Sequence, residues 1–201
     1  MNKSSTINDS SERITSLYES TLEIPKNKPK NQFVLCPIGL VGAGKTTVIS
    51  PLSKKLSLLR ISTDEIRILF KKDGLDWGQA REIAYGLVKK YLHQGFSVAV
   101  DIDCVTERAR NYIAEAQKEL DLKVIWIHIN PPEEFIINKL KDYKHDGVLF
   151  KDAEDAINNY FDRKPLHQNL DFPFTYTFDT SKSNLDEQIN EAVDKINDLI
   201  K

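Results

Sequence analysis

One stretch decides the fold: Gly39-Leu40-Val41-Gly42-Ala43-Gly44-Lys45-Thr46. Glycine lets a backbone wrap closely around an anion with several N–H groups pointing inward, and Gly39, Gly42 and Gly44 supply that freedom. A helix that follows such a loop directs its N-terminus at the same anion. The stretch therefore predicts a loop that holds the phosphates of ATP or GTP.

The last two residues of this loop indicate how the phosphates and a metal ion would be bound. Lys45 has the reach to contact the outer phosphates, and the Thr46 hydroxyl is a ligand for magnesium. We therefore expect ATP and Mg²⁺ as cofactors, with Lys45 also acting in catalysis. The predicted nucleotide-binding set is Gly39, Gly42, Ala43, Gly44, Lys45, Thr46 and Thr47.

Outward from the loop, apolar strands alternate with helices. A strand at 33–38 precedes the loop and a helix at about 44–56 follows it. Further strands are expected at 58–62, 97–100, 124–129 and 174–178, separated by helices beginning near 64, 77, 106, 131, 152 and 184. Near-continuous apolar strands of this kind favour a parallel sheet covered on both faces. The pattern predicts a three-layer α/β fold around a mostly parallel five-stranded sheet.

The first 30 residues differ from the rest of the chain. They are rich in Ser, Asn and Lys, with Pro25 and Pro29 near the end. We predict a mobile N-terminal arm over 1–30 and one domain over 31–201, with the arm adding little to the core. The alternative is a docked accessory helix over 11–23, since its apolar residues recur at helical spacing: Ile14, Leu17, Tyr18 and Leu22.

The amino-acid composition and net charge limit which binding partners we expect. Of the 201 residues, 40% are hydrophobic, and the formal net charge is -2. The chain thus lacks the basic footprint of a protein that binds long nucleic acid. No stretch approaches the roughly 18 apolar residues of a membrane span, and no apolar core marks a secretory signal. We expect a cytoplasmic protein, with reduced thiols at Cys36 and Cys104 and with a small molecule or a short oligonucleotide as acceptor.

The segment Ser62-Thr63-Asp64-Glu65-Ile66-Arg67 follows the second strand. Carboxyl ends of parallel strands share the edge of the sheet that binds ligand, so Asp64 should face the phosphate loop. A carboxylate there can accept the proton of an attacking hydroxyl, and Arg67, one helical turn later, can orient the acceptor or the transferred phosphoryl group. The alternative is structural, because Ser62 and Glu65 form a capping-box pattern and acids favour helix starts.

An acid also ends the third strand, Val98-Ala99-Val100-Asp101. Such a residue can hold magnesium through its water shell, so Thr46 and Asp101 form the predicted metal site. Asp103, two residues on, is a second candidate. The alternative is an acid that happens to end a strand.

A basic, polar segment at about 141–152 predicts a small lid that closes over the nucleotide. Its candidate cations are Lys141, Lys144 and, at the end of the next helix, Arg163. The alternatives are a solvated loop for the segment and, for Arg163, a cation that stabilises a helix C-terminus.

The order of these motifs resembles the small P-loop kinases. The closest likeness is to the polynucleotide 5′-hydroxyl kinases and the zeta-toxin-like, AAA-type predicted kinases, over residues from about 32 to 165. The resemblance implies a P-loop NTPase fold, with Asp64 as general base, Arg67 as a contact to acceptor or phosphates, and Asp101 as the acid of the third strand. Lys141, Lys144 and Arg163 fall near that family's lid.

These observations together predict an ATP-dependent kinase that phosphorylates a hydroxyl of a small molecule or of a nucleic-acid 5′ end. The alternative is an ATP-binding switch or partner-binding module that hydrolyses ATP slowly. Two features argue against a GTPase switch. Asn138-Lys139-Leu140-Lys141 fails the guanine-specificity motif at its last position, and no Asp-x-x-Gly follows the third strand.

Overall fold

The computed structural model describes residues 3–142 and 149–201. Their strands form one five-stranded sheet in the order β2-β3-β1-β4-β5. Every described pairing is parallel, so the sheet is more regular than the mostly parallel one expected. The strands are β1 Phe33–Ile38, β2 Leu59–Ser62, β3 Val98–Asp101, β4 Lys123–Ile129 and β5 Phe174–Phe178.

Helices cover both faces of the sheet. They are α1 Lys3–Ser20, α2 Lys45–Lys55, α3 Thr63–Lys72, α4 Ala80–His93, α5 Glu107–Leu120, α6 Glu133–Asp142, α7 Ala153–Arg163 and α8 Leu185–Ile200, with a 3-10 turn at Lys164–His167. No helix in the part of the chain that the structure describes is long and apolar enough to cross a membrane.

Two hydrophobic cores make the three layers. Val34 and Cys36 of β1 point into a core with α1, α3, α4 and α5. Phe33 and Leu35 point the opposite way, into a core with α2, α6, α7 and α8. This alternation along β1 is that of a strand buried on both faces, and it confirms the predicted three-layer α/β architecture. Cys36 and Cys104 are both buried as free thiols.

Strand order fixes where the candidate residues meet. The central strand β1 lies between β3 and β4. The chain leaving β1 therefore enters the crevice of the sheet where ligands bind in open α/β folds. β2 pairs with β3 in a register that places Ser62 opposite Asp101. The segments that follow β1, β2 and β3 thus emerge at one edge.

The N-terminal segment is a docked helix, and the expectation of a mobile arm is corrected for its described side chains. Ile14 and Tyr18 are almost completely buried and belong to the core shared with α3 and α4. The Tyr18 hydroxyl accepts a hydrogen bond from Ser62 N–H at 2.7 Å. The mobile-arm prediction rested on the polar average of residues 1–30, whereas the apolar spacing within 11–23 carried the structural information.

Candidate active site

The loop between β1 and α2 has the backbone geometry that its glycines predict. Gly42 has a φ of 78° and Gly44 a φ of 91°. Both values lie in the region that favours glycine. A Cβ on Gly39 would lie 2.7 Å from the carbonyl oxygen of Ile129 on β4, closer than packed atoms tolerate. The loop conformation therefore depends on glycine at all three positions.

The start of α2 is left open for an anion. Its N-cap residue, Gly44, makes no side-chain cap hydrogen bond, and the first turn carries no acidic residue. By contrast, α3, α5 and α7 are capped by the side chains of Ser62, Thr106 and Asp152, and α4 and α8, which also have no side-chain cap, carry acidic residues in the first turn. The N–H groups of the first turn and the positive end of the helix dipole at α2 fit a phosphate group.

Lys45 lies across the mouth of this loop. Its Nζ donates hydrogen bonds to the carbonyl oxygens of Gly39 at 2.8 Å and Leu40 at 3.0 Å. The other side of the loop is held by Thr180, whose hydroxyl donates to the carbonyl of buried Ala43 at 2.7 Å. The ammonium group is thus placed over the loop rather than directed into solvent.

The two residues of the predicted metal site lie together. The Thr46 hydroxyl donates to Asp101 Oδ1 at 3.4 Å. A hydroxyl and a carboxylate are the hard oxygen ligands that Mg²⁺ prefers, usually in company with water and substrate phosphates. The pair fits a magnesium ion at the loop, and its metal role stays a prediction. Thr47, also assigned to the nucleotide site, is exposed in the first turn of α2.

Asp101 has a further partner that the sequence pattern did not reveal. Arg60 of β2 donates to Asp101 Oδ2 from Nε and from a terminal nitrogen, each at 2.9 Å, and also pairs with Glu65 at 2.7 Å. Burial raises the pKa of Asp101, and the Arg60 guanidinium opposes only part of that rise. The available signal was a lone arginine within the apolar strand Leu59–Ser62.

Asp103 contacts the phosphate loop from the end of β3. Its Oδ1 accepts from Gly39 N–H at 3.5 Å, and its Oδ2 lies 3.0 Å from His167 Nε2. Burial alone would raise the pKa of Asp103, but the His167 hydrogen bond and the Lys45 charge lower it. Asp103 thus links the loop to the turn after α7. His167 was missed because 64 positions separate the pair.

Asp64 and Arg67 lie in the first turns of α3. This helix begins directly after Ser62, the residue of β2 that pairs with Asp101. Asp64 Oδ1 accepts from Arg67 at 2.8 Å, and the Asp64 side chain is 52% exposed. Ser62 also caps the helix by accepting from Glu65 N–H at 3.5 Å. The capping pattern is therefore present, and Asp64 is exposed at the ligand edge. The structure is compatible with either interpretation of Asp64.

Arg67 is the centre of a cationic cluster. Its guanidinium carbon lies 4.7 Å from the ring centre of Trp77, which is partly exposed. Burial lowers the pKa of Arg67, the Asp64 carboxylate opposes this, and the charges of Arg81 and Arg163 lower it further. The charges of Arg163 and of Arg81 on α4 thus act on Arg67, and the sequence pattern did not mark Arg81.

The lid assignment is only partly described. Lys141 is exposed near the end of α6, and Lys144 lies outside the described residues. Arg163 ends α7, in the position that the helix-C-terminus alternative expected. What links it to the site is its charge, which lowers the pKa of Arg67.

Solved structures with this fold include three kinases. An APS kinase of Mycobacterium tuberculosis, solved with AMPPNP and APS, is 16% identical with a TM-score of 0.54 and covers 84% of this chain and 99% of its own. A gluconokinase of Sinorhizobium meliloti is 14% identical with a TM-score of 0.53, covering 87% and 95%. A shikimate kinase of Acinetobacter baumannii is 17% identical with a TM-score of 0.51, covering 84% and 94%.

Sequence comparison gives the family. No curated protein sequence matches the chain. The model of one family, described as an AAA domain, matches residues 34–163, from β1 through the end of α7. That span contains the phosphate loop, the Asp64–Arg67 pair and the buried Asp101, and it makes up most of the chain. This P-loop protein therefore belongs to the AAA domain family.

Proposed function

We propose that this protein is an ATP-dependent kinase that transfers the γ-phosphoryl group of ATP to a hydroxyl. One observation carries the proposal: Thr46 contacts Asp101 at 3.4 Å, and Asp101 lies opposite Ser62, two residues before Asp64. The phosphate loop, the candidate magnesium ligands and the candidate base thus lie at neighbouring strand ends. The kinases among the structural neighbours support phosphoryl transfer as the reaction class.

The reaction replaces one bond to phosphorus with another. The acceptor oxygen bonds to the γ-phosphorus, the bond from that phosphorus to the β–γ bridging oxygen breaks, and ADP leaves. The acceptor proton passes to the Asp64 carboxylate. That carboxylate is held by Arg67 at 2.8 Å. Magnesium, when held by Thr46, Asp101 and the phosphates, supplies charge neutralisation.

Positively charged side chains of this protein would stabilise the remaining negative charge of the phosphates. Lys45, held over the loop by two carbonyl groups, is placed to contact the outer phosphates of ATP. The charge of Arg163 acts on Arg67, and we propose that both guanidinium groups stabilise charge on the transferred group. We propose that the acceptor is a small molecule or a nucleic-acid 5′ end. We also propose that the protein is related to the polynucleotide 5′-hydroxyl kinases and the zeta-toxin-like kinases.

Transfer of label decides between a kinase and a slow ATPase switch. The purified protein is incubated with γ-labelled ATP, Mg²⁺ and pools of hydroxyl compounds and 5′-hydroxyl oligonucleotides. The proposal expects label in an acceptor from at least one pool, and loss of that label in Lys45→Ala. Label found only as inorganic phosphate, at the same slow rate with every pool, would favour the switch.

A further inference from the structure

Two charged side chains hold Gly39 at the start of the phosphate loop. Lys45 Nζ donates hydrogen bonds to the carbonyl oxygens of Gly39 at 2.8 Å and Leu40 at 3.0 Å. From the other direction, Asp103 Oδ1 accepts from the N–H of Gly39 at 3.5 Å. Lys45 begins α2, whereas Asp103 follows β3, so two separate elements fix the backbone on both sides of one glycine.

The two contacts differ in what a bound nucleotide would do to them. An ammonium group has three N–H donors, and Lys45 already gives two of them to loop carbonyls. Contact with two or more phosphate oxygens, as the proposed function expects, therefore withdraws at least one donor from the loop. Asp103 is an acid and does not attract phosphate, so it remains as the side chain that holds Gly39.

Asp103 is itself held by His167. His167 Nε2 lies 3.0 Å from Asp103 Oδ2. Burial alone would raise the pKa of Asp103, but the hydrogen bond with His167 lowers it, so the side chain is a carboxylate. Because a carboxylate only accepts hydrogen bonds, Nε2 of His167 carries the shared proton. One carboxylate oxygen thus faces Gly39 and the other faces His167, and rotation of the carboxylate would break both bonds.

Burial sets this pair apart from a similar pair on the surface. The side chains of His167 and Asp103 are 5% and 17% exposed. His93 and Glu119 also form a histidine–acid contact, at 3.2 Å, but their side chains are 39% and 44% exposed. Water competes for the partners of an exposed pair, so such a pair fixes little. The shielded pair can hold a defined orientation at the loop.

From these contacts we propose that His167 is a positioning residue for nucleotide binding. It orients Asp103, and Asp103 keeps Gly39 in the conformation that receives the phosphates. The inference rests on the nucleotide site of the proposed function. It extends that site to the 3-10 turn Lys164–His167, which follows α7 and lies beyond residue 163, where the family match ends.

Nucleotide affinity can be measured without turnover. The protein is titrated by calorimetry with AMPPNP in the presence of Mg²⁺. In His167→Leu the affinity should fall about tenfold, the effect expected for loss of one hydrogen bond to a charged group. His167→Gln should recover most of it, because the amide nitrogen can take the place of Nε2. His93→Leu breaks the exposed pair and is the matched control, which should bind as the unaltered protein does.

A double variant tests whether His167 acts through Asp103. If it does, Asp103→Ala should lose at least as much affinity as His167→Leu, and combining the two changes should lose no more than Asp103→Ala alone. Additive losses would give His167 a different route to the nucleotide and overturn the proposal. So would a lowered melting temperature with unchanged AMPPNP affinity in His167→Leu. His167→Asn, which is polar but too short to reach Asp103, should bind as weakly as His167→Leu, and binding equal to that of His167→Gln would also overturn the proposal.

The two proposals fail in different ways. AMPPNP binding that depends on His167 through Asp103, without label transfer from ATP to any acceptor, would retain the positioning role and reject the kinase. Label transfer by a protein whose AMPPNP affinity is unchanged in His167→Leu would retain the kinase and reject the positioning role. A lack of AMPPNP binding in the unaltered protein would reject both.

Discussion

The hydroxyl of Tyr18 accepts a hydrogen bond from the backbone N–H of Ser62 at 2.7 Å. This bond joins the N-terminal helix to the residue that caps α3, two positions before Asp64. The same hydroxyl lies 3.3 Å from a Glu65 carboxylate oxygen, to which it donates. Burial raises the pKa of Tyr18, which keeps this donor protonated. Helix α1 therefore helps to position the strand end that carries the candidate base.

Helix α1 should be part of the stable domain. Ile14 is completely buried. Ile14→Ala should therefore lower the free energy of unfolding by about 2–5 kcal/mol, from lost burial and the cavity left behind. Leu17 on the same helix is the control, because its side chain is 42% exposed. Leu17→Ala should change stability by no more than about 0.5 kcal/mol. Urea unfolding of both variants measures this, and equal, small effects would mean that α1 does not pack as the structure has it.

Lys45→Ala should abolish most binding of ATP with Mg²⁺ and leave the fold intact. Among the described residues the ammonium group donates its hydrogen bonds to loop carbonyls, which remain acceptors for water, and Lys45 is not part of either hydrophobic core. Lys55→Ala, an exposed change at the end of the same helix, should bind ATP normally. Calorimetric titration and far-UV circular dichroism give the two readouts. Unchanged affinity in Lys45→Ala contradicts the phosphate-loop assignment.

The variant Asp64→Asn tests whether Asp64 is the general base. If Asp64 accepts the acceptor proton, kcat should fall about 10²–10⁴-fold with little change in ATP affinity. If it only favours the helix start, turnover should stay normal and stability should fall by about 0.3–1 kcal/mol.

Asp186→Asn is the matched control for that change, because Asp186 is likewise the second residue of its helix, α8. Both variants should lose similar small amounts of stability, and only Asp64→Asn should lose turnover. Equal turnover in the two variants would reject the base assignment.

Arg60→Met should be strongly destabilising at neutral pH. It removes the cation from Asp101, whose side chain is only 3% exposed. Loss of one partner of a buried ion pair costs about 3–5 kcal/mol. The pair Arg108–Glu82 is the comparison, because both of its side chains are exposed. Arg108→Met should cost at most about 1 kcal/mol. Chemical denaturation at pH 7 measures both, and equal costs would contradict a buried role for Arg60.

The cost of Arg60→Met should also depend on pH. The pKa of Asp101 in the folded protein is raised above its ordinary value of 3.8, and loss of Arg60 removes a charge that lowers it. The folded variant then binds this proton more tightly than the unfolded chain does, so its stability falls as pH rises above that value. The difference between variant and unaltered protein should grow between about pH 4 and pH 7. A difference that shrinks over this range would contradict the assignment.

Much of the fold follows from local pattern. β1 Phe33–Ile38 begins and ends where its apolar run predicts, and all six of its residues are buried. A short strand within a covered sheet is apolar along most of its length, so its bounds can be seen in the sequence. The docking of α1 could not be settled in this way. Its apolar residues are spaced for a helix, but the surface that buries them is assembled from α3 and α4, far along the chain.

The residues of the candidate site likewise include some that the sequence identifies and some that it does not. The phosphate loop is contiguous, so Gly39 to Thr46 could be recognised from spacing alone, and Asp101 followed from its position at a strand end. Arg81 and His167 could not be found, because each acquires its meaning from a partner in another element, and Arg60 was marked only by being a lone arginine in an apolar strand. Only the packing of α4 on α3 brings the charges of Arg81 and Arg67 together.

The docking of α1 has a consequence for how the protein folds while the ribosome makes it. Tyr18 and the Ser62 that it holds are 44 positions apart. At about 5–20 residues per second, the ribosome needs roughly 2–9 s to add them. Most of a helix's stability in a protein comes from packing of its apolar face, so α1 is weakly held until that face is buried. During that interval the nascent segment exposes Ile14 and Tyr18 to chaperones, so the first helix to be made cannot dock until Ser62 and α3 have also been made.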